Sequence, residues 1–91
     1  MPPDLKRILR SVTHRRILGF FLENQGSIDT AKGVSTWTGE RLEKVRAALE
    51  DLARRGVLKA HRTSSTVGYS CALKKKTLSA LSSEIRHEKE A

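Results

Sequence analysis

Sulfur is nearly absent from this 91-residue chain. Its one cysteine, Cys71, excludes an internal disulfide framework and fits a reducing compartment. No apolar run approaches the roughly 18 residues that a membrane span requires. The opening Met1-Pro2-Pro3-Asp4 lacks the apolar core of a signal peptide and leads straight into charged sequence, so a cytoplasmic protein is expected. Catalytic vocabulary is missing too. There is no nucleophile–base–acid set, no phosphate-binding glycine loop, and no metal-ligand cluster among His14, His61, His87 and Cys71. A chain this short builds one core, without an enclosed cleft of ordinary enzyme size. No enzyme activity, cofactor or metal is expected.

What the chain has in excess is positive charge. Its net charge is +8, which favours a polyanionic partner, while 37% hydrophobic and 31% charged residues describe a globular domain. The excess is unevenly spread: residues 1–26 carry +3, 27–56 only +1, 57–73 +2, and the tail from Lys74 another +2.

Taken in order, Asp4 can cap a first helix whose apolar face is Leu5, Ile8, Leu9 and Val12. One bent helix or two consecutive helices would satisfy the pattern that follows, and a break near residues 11–13 is the favoured reading, with Thr13 as a further cap. A second helix follows, carrying Ile17, Leu18, Phe20 and Phe21 into the core and ending at Asn24-Gln25-Gly26. Ser27 or Asp29 caps a short helix, Ile28 enters the core, and Ala31, Val34 and Trp37 form an apolar edge at steps of three before the turn at Thr38-Gly39. The strongest pattern lies in residues 40–55. Leu42, Val45, Leu49 and Leu52 mark one face of a helix, Arg54 and Arg55 suit its C-terminus, and Gly56 stops it.

Two strand-like runs, 57–63 and 67–73, flank the short polar loop Ser64-Ser65-Thr66. In the second run Val67, Tyr69, Cys71 and Leu73 share a face, which makes Tyr69 and Cys71 core residues. The tail is helical in composition, with Leu78, Leu81 and Ile85 in a narrow stripe.

The run Val45-x3-Leu49-x2-Leu52-x3-Gly56-Val57-Leu58, preceded by Thr13-His14-Arg15-Arg16-Ile17-Leu18, resembles the recognition helix, strand exit and first domain helix of bacterial winged helix-turn-helix regulators. The multiple-antibiotic-resistance and arsenical-resistance repressor superfamilies are the ones it resembles in outline. The resemblance covers about residues 13–73 and implies a mainly α fold with a small β-hairpin, in the order α-α-α-β-β plus terminal helices. It implies a homodimer on double-stranded DNA, with helix 40–55 in the major groove and the hairpin, or wing, along the backbone. The domain is then 13–73, with residues 1–12 as a candidate dimer arm and 74–91 as a candidate dimerisation helix. The arsenical-type metal site needs paired cysteines, which a lone Cys71 cannot supply.

For DNA contact the candidates are Arg41, Lys44 and Arg46 on the helix and Lys59, Arg62, Thr63, Ser64 and Ser65 on the acid-free wing. Bases and hydroxyls both bond phosphate oxygens, so the phosphate backbone is the expected main target. At 100° per residue, the stripe opposite the apolar face of helix 40–55 is Glu40, Glu43, Ala47, Glu50, Asp51 and Arg54, with Lys44 beside it. Acids facing phosphate repel, unless i,i+4 pairs (Glu40–Lys44, Arg46–Glu50, Glu50–Arg54, Asp51–Arg55) neutralise them within the helix. An alternative reading is therefore a winged-helix module that binds protein through this face, with no direct DNA binding. Structured RNA is a third reading that rests on charge alone.

Overall fold

The chain turns where a helix break was expected. Helix α1 (Pro3–Ile8) stops, Leu9 and Arg10 turn, and Ser11 takes the N-cap of α2 (Val12–Glu23). The cap is Ser11 rather than Thr13: its backbone is extended and its Oγ accepts from the His14 N–H at 3.3 Å. The computed structural model describes residues 3–74 together with 76, 77, 80, 81, 83 and 84. Asp4 and Leu5 as side chains, and Lys75, Leu78, Ile85 and His87 altogether, lie outside that description.

Because α1 ends at Ile8, the apolar face expected to run through Val12 divides. Ile8 and Leu9 are buried in the domain core, while Val12 is 48% exposed. Leu81 joins the same core with no exposed surface. Helix α2 supplies Ile17, Leu18, Phe20 and Phe21, and the Asn24 N–H and Nδ2 both close on the Phe20 carbonyl at its end.

The next segment departs from expectation. Asp29 and Thr30 form a short strand, β1 (Asp29–Thr30), and Thr30 caps α3 (Ala31–Thr38) by accepting from the Gly33 N–H at 3.2 Å. Neither Ser27 nor Asp29 is the cap. Extended pairing also carries Ile28 out of the core: it is 61% exposed, and its Cγ2 lies over Gly68 on the neighbouring strand. In α3 only Val34 is fully buried; Trp37 is 49% exposed, packing edge-on to Phe20 at 5.2 Å. Steps of three fall short of a 3.6-residue turn by about 60°, so a stripe spaced 31, 34, 37 winds off the buried face.

Gly39 caps α3 in the left-handed region, and Arg41 is the N-cap of α4 (Leu42–Arg54). The helix begins two residues later than Glu40, whose carbonyl instead accepts the Ser35 hydroxyl at 2.6 Å. Val45, Ala48, Leu49 and Leu52 are its buried face. Its end is a Schellman turn: Gly56 at φ 78°, the Gly56 N–H on the Ala53 carbonyl, and the Val57 N–H on the Leu52 carbonyl.

The wing follows as β2 (Leu58–Arg62) and β3 (Val67–Cys71), antiparallel with Ala60 opposite Tyr69. Strand β1 pairs on the other edge of β3, so the described sheet has the order β1-β3-β2. Tyr69 is buried as expected, whereas Cys71 is only half-buried. No described helix is long and apolar enough to cross a membrane.

Candidate nucleic-acid interface

The charges of α4 are sorted by contacts that its own periodicity does not reveal. Glu40, just before the helix, accepts from the Thr13 hydroxyl at 3.1 Å and lies 3.6 Å from Arg16, both on α2. Asp51 lies 3.0 Å from His14 Nε2, accepts from Arg55 Nε at 3.0 Å and meets Arg54 at 3.2 Å. His14 is itself held at its other ring nitrogen, 2.8 Å from the Ser11 hydroxyl. Glu50 reaches the wing: it accepts from the Tyr69 hydroxyl at 2.9 Å and from Arg62 at 2.9 and 3.2 Å. Of the four intrahelical pairs expected, Asp51–Arg55 forms, while Glu40 and Glu50 bond to other elements. Three acids placed on the outward stripe are thus inter-element ties.

The electrostatics agree with the geometry. Bonds from Arg62 and then Tyr69 hold the Glu50 carboxyl below its ordinary range despite some burial. Burial would raise Asp51, but the bonds from His14 and Arg55 outweigh it and the carboxyl is also lowered. Burial and then the Glu50 contact push the Tyr69 phenol up, and Glu50 raises Arg62.

What remains exposed on the first turns of α4 is Arg41, Glu43, Lys44, Arg46 and Ala47. Glu43 stands as the acid in this group, 3.8 Å from Arg41 with both side chains about four-fifths exposed. Below them a groove of about 640 Å³ opens between α4, the start of α3 and the wing, lined by Lys32, Arg46, Glu50, Ser65, Thr66 and Tyr69 among others, with Glu50 paired to Arg62. Lys32 was not among the sequence candidates. A lysine one residue into a short helix carries no periodic signal, and only the fold brings it to the groove that Arg46 also lines.

The wing candidates separate. Arg62 is exposed but occupied by Glu50. Thr63, Ser64 and Ser65 are exposed at the hairpin tip, where the Thr63 hydroxyl accepts from the Ser65 and Thr66 N–H groups and shapes the loop. Strand alternation puts Lys59 and His61 on the face opposite Leu58, Ala60 and Arg62, and His61 Nε2 lies 2.8 Å from the Ser70 hydroxyl there. Lys59 is therefore not part of the groove. Among the described residues no group of three or more His, Cys, Asp or Glu side chains could hold a metal ion.

No protein-family model and no curated protein matches this sequence. Solved structures do. The AntR antimony-specific transcriptional repressor superposes with a TM-score of 0.77 at 21% identity, over 96% of this chain and 76% of its own. The homodimeric winged helix-turn-helix DNA-binding domain of a possible ArsR-family transcriptional regulator from Mycobacterium bovis gives 0.70 at 19% identity, over 94% and 76%. Rv0081 of M. tuberculosis gives 0.69 at 21% identity, over 92% and 80%. Four helices followed by the wing within residues 3–71, and superposition on these proteins over most of the chain, make this domain a winged helix-turn-helix that resembles the arsenical-resistance type of regulator in fold.

Proposed function

We propose that this chain is a cytoplasmic transcriptional regulator without catalytic activity, binding double-stranded DNA as a homodimer mainly through the phosphate backbone. The observation that carries this reading is the sorting of charge on α4. Glu40 and Asp51 are taken up by contacts with α2, Glu50 stays on the groove but is neutralised by Arg62, and the first turns of α4 expose Arg41, Lys44 and Arg46 against Glu43. That answers much of the electrostatic objection raised by the sequence. Helix α4 enters the major groove, Lys32 and Arg46 hold phosphate across the groove between α3 and the wing, and the hydroxyl-rich tip at Thr63, Ser64 and Ser65 follows the backbone. Arg62 and Lys59 contribute less, the first bound by Glu50 and the second turned to the other sheet face.

For the dimer, the support is a structural neighbour described as homodimeric. Ile8, Leu9 and Leu81 are committed to the protomer's own core, so a dimer contact by segments 1–12 and 74–91 would use other residues of those segments.

Fluorescence anisotropy with a random-sequence duplex tests the DNA reading. Binding is expected at about 50 mM salt, with protein up to about 10⁻⁴ M covering the usual non-specific range. The pair Lys44→Ala and Arg46→Ala, with circular dichroism unchanged, should flatten the salt slope by about 2 and weaken binding to all sequences alike. No binding by the parent chain would sink the proposal. The rival reading, a module that binds protein, draws on the half-exposed Trp37 beside Val12 over a groove of about 350 Å³, and that negative result would favour it.

A further inference from the structure

Glu43 is the acid of α4 with no described contact to another element, its place in the first turn suiting the helix N-terminus. Its side chain is 80% exposed, and its partner Arg41, at 3.8 Å, is 79% exposed. Ala47 lies one turn on along the same stripe, exposed and too small to shield it, with Lys44 and Arg46 on either side. An acid at the centre of a surface that approaches phosphate repels unless it meets a hydrogen-bond donor. In the major groove such donors are the exocyclic amines, the cytosine N4 and the adenine N6. Adenine sets its N7 acceptor beside that amine, facing a carboxylate with a second lone pair; cytosine has no such acceptor on its major-groove edge. The guanine paired with cytosine then offers O6 and N7, the acceptors that an arginine fork fits.

Resting on the DNA-binding reading above, we propose that Arg41 and Glu43 together read one C·G base pair, Glu43 accepting from the cytosine N4 and Arg41 donating to the guanine. The loose ion pair between them opens and each partner takes the complementary edge of the base pair. The exchange is charge-balanced, so Glu43 adds selectivity without adding general affinity.

The test is selection from a duplex library randomised over about 20 base pairs, long enough for two half-sites. Parent, Glu43→Gln and Glu43→Ala proteins are each run and their enriched pools sequenced. The parent should enrich C·G at one position per recognition helix by roughly tenfold, within the range for a single good base contact. Glu43→Ala should flatten that position alone, and Glu43→Gln should move it toward A·T, because an amide pairs with adenine N6 and N7. Affinity of both variants for random duplex should be no lower than the parent's. Persistence of the parent preference in both variants overturns the inference. So does a parent that binds duplex with no base preference, though DNA binding itself would then stand. A parent that binds no duplex overturns both.

Discussion

Glu50 joins α4 to both wing strands, through Tyr69 on β3 and Arg62 on β2. Tyr69 is the buried partner, 4% exposed, so its hydroxyl is the one whose loss the fold should feel. Tyr69→Phe should cost about 1 kcal/mol in urea unfolding, the ordinary worth of one partly buried hydrogen bond. The same ties predict how stability follows pH. Glu50 and Asp51 are lowered in the folded chain, so their contribution is whole above the ordinary carboxylate range and drains away as pH falls through the folded values. Tyr69 is raised, so its contribution is whole below the ordinary phenol range and is lost as pH rises through the folded value. Unfolding measured across pH should therefore show a plateau at neutral pH with an acid and an alkaline shoulder. In Tyr69→Phe the alkaline shoulder should shrink; an unchanged shoulder would refute the assignment.

Among the elements, α4 and its exit were plainest in the sequence. The face at Leu42, Val45, Leu49 and Leu52 is long enough for the helical period to stand out, and Gly56 sits where a left-handed residue must follow. No atom lies within 4 Å of a Cβ built on Gly56, so Gly56→Ala tests conformation alone. It should lower stability by about 1–2 kcal/mol, the cost of a side chain in the left-handed region, read by thermal or urea unfolding. The break between α1 and α2 was legible for a similar reason, since a capping residue stands there. Short elements were not. Two residues of β1 have no period, and their pairing is set by Tyr69 and Gly68, some forty positions away. Trp37 and Ile28 were misplaced because a local apolar pattern cannot show which side of a one- or two-turn element meets the core. The site suffered in the same way. That Arg41, Lys44 and Arg46 are exposed was readable because all three lie off the clear apolar face of α4, whereas the Glu50–Arg62 contact and the place of Lys32 on the groove that Arg46 also lines depend on how β2 and α3 pack.

At the scale of the whole molecule, the +8 charge and the proposed homodimer are what to measure. Sedimentation equilibrium should give twice the 10.2 kDa chain mass at micromolar concentration; a single-chain mass across the accessible range would remove the dimer from the proposal. The sorting of acids on α4 has a further consequence. Glu40, Glu50 and Asp51 hold neighbouring elements in place, and Glu43, Lys44, Arg46 and Ala47 hold none of the described contacts between elements. At the first turns of α4, structural duty and the outward surface therefore fall on different residues, while Glu50 further on serves both. The four outward positions form a keypad on a fixed chassis: their identities can be rewritten together, while the inward ties continue to set the angle at which the helix is presented.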